Sequence, residues 1–267
     1  MSDQHVAFVG SIPENYDRYL GSCLFEPFAL DIVQRVPVDA GVVLEIACGS
    51  GIVTRHLRDR LRKEARLVAS DLNDGMLAYA AAKFGPDDAV EWKQADATSL
   101  PFDDASFDAV VCQFGLMFFP DKVAALREVH RVLSPGGLFV FNVWDSIDKN
   151  ELAHLAHETI STFFEHDPPA FYNLPFLLHD EELILDLLKT LGFSDSAITV
   201  LAKAGISSSA ADVAKGLIEG NPVILEINQR GGDVQEIETA LAASVVARCG
   251  DNPVRSKLQA LVCTARR

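Results

Sequence analysis

The stretch VVLEIACGSGIVT, residues 42–54, decides how the rest of the chain is read. Apolar residues surround one glutamate, Glu45, and then enter a turn made of Ala47, Cys48, Gly49, Ser50 and Gly51. Nothing in that turn is bulkier than a serine or a cysteine, so backbone can pass close to a ligand there. A strand that enters such a turn and leaves as a helix aims backbone N–H groups at one point, outside the carboxyl ends of an open α/β sheet. A dinucleotide turn would follow G-x-G-x-x-G, but counting from Gly49 the third glycine position holds Thr54. Asp71, twenty residues beyond Gly51, stands where a carboxylate for ribose hydroxyls is wanted. Glu45, inside the strand, needs a donor to offset its burial.

Outward from this turn, short apolar runs alternate with helical patterns, the signature of β-α-β units and a parallel sheet covered on both faces. The spacing predicts strands over 41–47, 66–71, 90–96, 107–114 and 137–144, with helices over 73–84 and 122–133. The second helix is expected to stop at Pro135-Gly136-Gly137. After Trp144 comes a helical, aromatic and proline-interrupted insertion, 151–179, then an amphipathic helix ending at Gly192 and a strand over 196–205. Two further helices, about 208–219 and 233–248, precede a last strand over 257–267, with 220–222 and 230–232 read as loops between helices.

The net charge of −15 repels phosphate backbones and anionic membrane surfaces at long range, so nucleic acid is disfavoured as a partner. The one basic run, RHLRDRLRKEAR (55–66), reads as the solvated face of a helix. Five scattered cysteines at no metal-ligand spacing argue for reduced, buried thiols. No apolar run reaches the ~18 residues of a membrane span, and no leader pattern opens the chain, so a cytoplasmic location is expected.

Further motifs follow in order: Ala95-Asp96-Ala97 at the end of the third strand, then SLPFDDASFDAVV, Gln113-Phe114-Gly115 leaving the fourth, and LREVHRVLSPGGLFVF introducing the fifth. With Glu45 and Asp71 these resemble the class I S-adenosylmethionine-dependent methyltransferases, in particular the small-molecule branch that includes ubiquinone and menaquinone C-methyltransferases. The resemblance covers roughly residues 14–145. Where the family's first motif reads acid-x-G-x-G-x-G, this chain has Glu45-Ile-Ala47-Cys-Gly49-Ser-Gly51; the alanine is tolerable if its φ is negative.

The resemblance implies an α/β fold: a Rossmann-like doubly wound sheet of seven strands, mostly parallel with the last antiparallel, and helical cap insertions. It implies one domain, with an N-terminal helical lid (1–40), a cofactor-binding core (41–146), caps (147–179 and 206–250) and returns to the sheet (180–205 and 251–267). It also implies S-adenosyl-L-methionine as cofactor, leaving as S-adenosyl-L-homocysteine. Glu45, Ala47, Cys48, Gly49 and Gly51 then lie beside its methionine part; Asp71 takes the ribose hydroxyls, with Leu72 and Met76 against adenine. Asp96 takes the adenine amino group, Ala97 offers its N–H to the ring, and Gln113-Phe114 close the amino-acid end. Tyr16 or Tyr19, in ENYDRYL, is placed at the cofactor carboxylate.

The implied activity is methyl transfer by in-line displacement to a small, apolar or aromatic acceptor, by a monomer or homodimer. The alternative is an NAD-dependent oxidoreductase on a similar sheet. A sulfonium methyl is already activated, so the reaction asks chiefly for alignment and exclusion of water. No catalytic residue is assigned; candidate bases are His154, His157, His166, Tyr172 and His179. His154 and His157, with Glu151 and Glu158 nearby, read as a solvated helix face rather than a metal site. Trp144 faces either a substrate cavity or the insertion, and Phe163, Phe164, Phe171, Tyr172 and Phe176 form either an apolar lining or the cap's own core.

Overall fold

The computed structural model describes residues 8–267. Strands β1 (Val42–Ile46), β2 (Arg66–Asp71), β3 (Val90–Gln94), β4 (Phe107–Gln113), β5 (Leu133–Trp144), β6 (Ser194–Ser207) and β7 (Val254–Arg266) form one seven-stranded sheet in the order β3-β2-β1-β4-β5-β7-β6. β1 to β5 pair in parallel. β7 runs against β5: Gly136 N–H donates to Arg267 O, and Asp145 N–H to Gln259 O. From β1 the chain builds outward to β2 and β3, then returns to place β4 on the other side of β1. That reversal opens a crevice beyond the ends of β1 and β4, the position where doubly wound sheets bind ligands.

The helices are α1 (Ile12–Asn15), a wide π-helical segment (Tyr16–Phe25), α2 (Glu26–Gln34), α3 (Ile52–Arg60), α4 (Asp74–Ala81), α5 (Lys122–Val132), α6 (Glu151–Ser161), α7 (Glu181–Thr190), α8 (Ala210–Glu219), α9 (Val223–Gln229) and α10 (Val234–Cys249). Residues cluster into two compact units. The sheet unit comprises 28–143, 178–201 and 260–267; the helical unit comprises the chain up to Pro27, 144–177 and 202–259. The core of the sheet unit gathers Ile32, Val33, Val43, Val53, Leu57, Leu67, Ala109, Val111 and Val140 from α2, α3 and the central strands. β1 is buried from Val43 to Ile46, the reason a continuous apolar run marks it rather than an alternation.

Three expectations are corrected. β5 begins at Leu133, not at 137, because Leu133 pairs with Phe107 and the register then shifts before Ala109 pairs with Leu138. Gly136 and Gly137 are clasped by the main chain of Arg267, which accepts from the first and donates to the second. α9 fills 223–229, an interval with no predicted element between the loops at 220–222 and 230–232, opening behind Pro222. The basic run is not simply a solvated face: Arg58 is buried, and its guanidinium donates to the carbonyl oxygens of Ala65 and Arg62. Arg55 pairs with Asp88 at 2.6 Å and Arg66 with Glu91 at 2.7 Å. All five cysteines are buried thiols. Among the described residues no helix is long and apolar enough to cross a membrane.

Candidate functional site

The carboxyl ends of β1, β2 and β4 bring the predicted turn residues together. Cys48 N–H donates to Ser70 O, so the turn is stitched to the end of β2. Asp71 completes the link: its Oδ2 accepts from Gly49 N–H at 2.9 Å and its Oδ1 from Asn73 N–H at 2.8 Å. Asn73 in turn caps α4, accepting from Met76 N–H at 3.0 Å. Met76 is buried behind Gly49, whereas Leu72 is 58% exposed beside Asp71. An aspartate, a bare glycine turn and an exposed leucine therefore border one another.

Ala47 adopts φ +52°, so the condition under which an alanine was tolerable there is not met. Phe114, at the end of β4, is likewise left-handed at φ +50°. Two side-chain-bearing residues in this region, one at each lip of the crevice, are the sort of local strain that clusters at ligand sites. Between them sits Gly115, where an added Cβ would fall 2.5 Å from the Ala47 Cβ and 2.9 Å from Cys112 Sγ. The methyl on Ala47 is accommodated because residue 115 has no side chain.

Glu45 is 1% exposed and its Oε2 accepts from Thr54 Oγ1 at 2.6 Å. No lysine, arginine or histidine pairs with it among the described residues. Burial pushes its carboxyl up to about 8, the Thr54 bond opposing and the neighbouring Asp71 charge adding to the rise. Asp71 is raised for the same first reason, against the N–H bonds of Asn73, Gly49 and Leu72. Burial and the absence of a neighbouring cation hold back ionisation of both carboxyls, and a positively charged ligand would favour their ionised form.

Thr54 is thus the hydrogen-bond partner of the buried Glu45, a link that its position as a missing glycine concealed. Asn142 is a second such buried link, a lone polar residue in the run FVFNVW. Its Oδ1 accepts from Phe114 N–H at 2.9 Å and its Nδ2 donates to Gln113 Oε1 at 3.4 Å, holding the end of β4.

The remaining predicted residues are placed as follows. Asp96 is exposed and accepts from Thr98 N–H at 2.8 Å and Thr98 Oγ1 at 2.7 Å, a local turn next to buried Ala97. Tyr16 and Tyr19 belong to the helical unit, where Tyr16 stacks on Phe25 with ring centroids 4.5 Å apart. Tyr172 is buried; its hydroxyl donates to Leu217 O at 2.6 Å and accepts from Asn221 Nδ2, and burial drives its pKa upward. It is a structural anchor rather than a base. His154 Nε2 lies 3.1 Å from Glu158, and Glu151 is engaged by Arg248 and by Lys257 N–H. Trp144 is buried between Phe25 and Phe176, and Phe171 meets Tyr172 edge to face, so this part of the aromatic run is the core of the helical unit.

Residues 44–141 match a family model described as a methyltransferase domain. The demethylmenaquinone methyltransferase of Staphylococcus epidermidis is 33% identical over 134 residues, 49% of this chain and 56% of that protein. The ubiquinone/menaquinone biosynthesis C-methyltransferase of Idiomarina loihiensis is 44% identical over 98 residues, 36% of this chain and 39% of that one. The chain thus spans about half the length, or less, of these curated relatives. A phosphoethanolamine N-methyltransferase of Haemonchus contortus, solved with S-adenosyl-L-methionine, superposes with a TM-score of 0.63 at 17% identity, covering 100% of this chain and 60% of that chain. At that identity the likeness is one of fold. Residues 44–141 are thus similar to a methyltransferase domain, and the sheet order is that of the solved methyltransferase structures the chain resembles.

Proposed function

We propose that the protein transfers a methyl group from S-adenosyl-L-methionine to a small, apolar or aromatic acceptor. The observation that carries this is Glu45: a buried carboxyl at the β1 turn, bonded to Thr54, with no cation of the protein's own to balance it. A donor with an ammonium and a sulfonium would draw the Glu45 carboxyl into its ionised form, and a ribose suits Asp71, whose carboxylate has lone-pair capacity beyond the backbone N–H groups it accepts from.

The residues that would hold the donor are Glu45, the Ala47–Gly51 backbone, Asp71, Leu72, Met76, Asp96, Ala97 and the Gln113-Phe114 backbone. The donor, when bound, supplies an activated methyl group. The chain's own part is to hold and to exclude. Asp71 keeps the Gly49 N–H in place, Asn142 keeps the β4 lip in place, and Thr54 orients Glu45. Such preorganisation lowers the entropy lost on aligning two reactants, the larger share of what this reaction asks of a protein. The oxidoreductase alternative is disfavoured by Thr54, which occupies the third glycine's place and is bonded to the acid of the turn. An apolar ring as acceptor is supported by the relatives, a demethylmenaquinone methyltransferase and a ubiquinone/menaquinone C-methyltransferase.

Calorimetric titration with S-adenosyl-L-methionine tests the reading: binding at micromolar concentration, weakened at least about tenfold in Asp71→Ala, is expected. Absence of binding, or an Asp71→Ala protein that binds equally well, refutes it. Transfer of labelled methyl to a demethylmenaquinone, against a panel of polar amines, then tests the acceptor class.

A further inference from the structure

The helical unit carries a cleft of about 450 Å³ of its own, within the range of small-molecule sites. One wall is the π-helical segment, a backbone form that is rare and recurs at functional sites. It presents Arg18 and Tyr19 to the cleft. The opposite wall is the end of β6, with Ile206 and Ser208, and the first turn of α8, with Asp212. Gly216 of α8 lets the two walls meet, since a Cβ there would fall 2.7 Å from the Tyr19 Cβ.

The charges on these walls are opposite and do not touch. Arg18 is exposed, lies 5.2 Å from the centre of the Tyr19 ring, and makes no hydrogen bond or direct ion pair with a described residue. Asp212 accepts from Ser208 Oγ at 2.7 Å, and that bond, with Ser209 and the field of Arg18, holds its carboxyl below the ordinary range. Lys215, the other cation near Tyr19, is engaged by Glu219 at 3.6 Å. The cleft therefore offers one uncommitted guanidinium and one ionised carboxylate that attract each other across a gap. Ile206, 46% exposed, and the Tyr19 ring add apolar surface between polar ends.

We propose that this cleft binds a small zwitterion with an apolar side chain, of the α-amino acid type. Its carboxylate is taken by Arg18, its ammonium by Asp212, and its side chain rests on Ile206 and Tyr19. A simple organic anion fits less well, because Asp212 repels it; a simple amine meets Arg18 in the same way. The site shares none of the β1-turn residues and needs no methyl donor; Tyr19, which the family resemblance places at the donor's carboxylate, lines this cleft.

The test is ligand-observed NMR and calorimetry on the full chain, without S-adenosyl-L-methionine, using L-phenylalanine and L-leucine as probes. 3-Phenylpropanoate and 2-phenylethylamine, each lacking one charge, serve as controls. Binding of at least one amino acid, about tenfold or more tighter than either control, is expected. Arg18→Gln and Asp212→Asn should each weaken it by a similar factor, with circular dichroism unchanged. Failure of both amino acids to bind, equal binding of a singly charged control, or indifference to Arg18→Gln overturns the proposal, whatever the fate of donor binding.

Discussion

The sheet unit and the helical unit satisfy their buried polar groups in different ways. In the sheet unit the polar side chains at strand ends hold backbone N–H groups: Asp71 holds Gly49 and Asn73, and Asn142 holds Phe114. The result is a turn tied by hydrogen bonds, with two carboxyls beside it and left-handed backbone at Ala47 and Phe114. In the helical unit the corresponding groups are spent on the unit itself, as Tyr172 and Asn221 are on Leu217 O, and Glu226 on Ala170 N–H. A polar group at a strand end of this sheet holds a turn; a polar group between these helices closes a core.

Glu45→Gln is the variant with the largest expected effect on that contrast. The folded carboxyl titrates near 8, the unfolded one near 4.5. Below 4.5 both states are protonated; between 4.5 and 8 only the unfolded state ionises, so stability falls as pH rises through that window and stays lower above it. The full loss is at most about 5 kcal/mol. Urea unfolding should find Glu45→Gln and the parent similar at pH ~5 and the variant the more stable at pH ~9, even as donor affinity drops. A pH-independent difference would mean that Glu45 titrates normally.

Next comes Gly115→Ala, whose methyl meets Ala47 and Cys112 and should destabilise by about 2–3 kcal/mol. Combining it with Ala47→Gly should recover part of that loss, a coupling above about 1 kcal/mol. Strict additivity would show that the two lips do not touch. Tyr172→Phe, in the helical unit, should lose about 1–2 kcal/mol of stability while keeping methyl transfer and its pH profile. A collapse of turnover with little change in melting temperature would instead make Tyr172 part of the chemistry. The smallest effect is that of Ala47→Gly alone, which relieves a left-handed alanine and should stabilise by up to about 1 kcal/mol; thermal unfolding reads it.

The sheet unit was largely legible in the chain. β1, β2 and β4 fall within a residue of the runs that predict them, because strands buried on both faces write themselves as continuous apolar stretches. The turn residues and Asp71 were legible too, since small residues before a helix and an acid at the next strand end are local features. Thr54 and Asn142 were written in the same stretches but pass unnoticed as single polar residues, because what they bond to lies 9 and 28 residues away. α9 was missed because a seven-residue apolar helix has no more periodicity than a loop with hydrophobic neighbours.

By itself, then, the sequence determined the β-α-β alternation and the small-residue turn after β1, because parallel β-α-β units and a glycine turn are specified by residues close together in the chain. Only the tertiary structure decided that Ala47 is left-handed and why Gly115 permits it. It also decided that Tyr172 and Trp144 are core, and that Arg18 and Asp212 face one cleft. Each of these depends on what a side chain meets across tens to hundreds of residues, and burial and pairing, not residue type, set whether such a group supports the fold or is left available for a ligand.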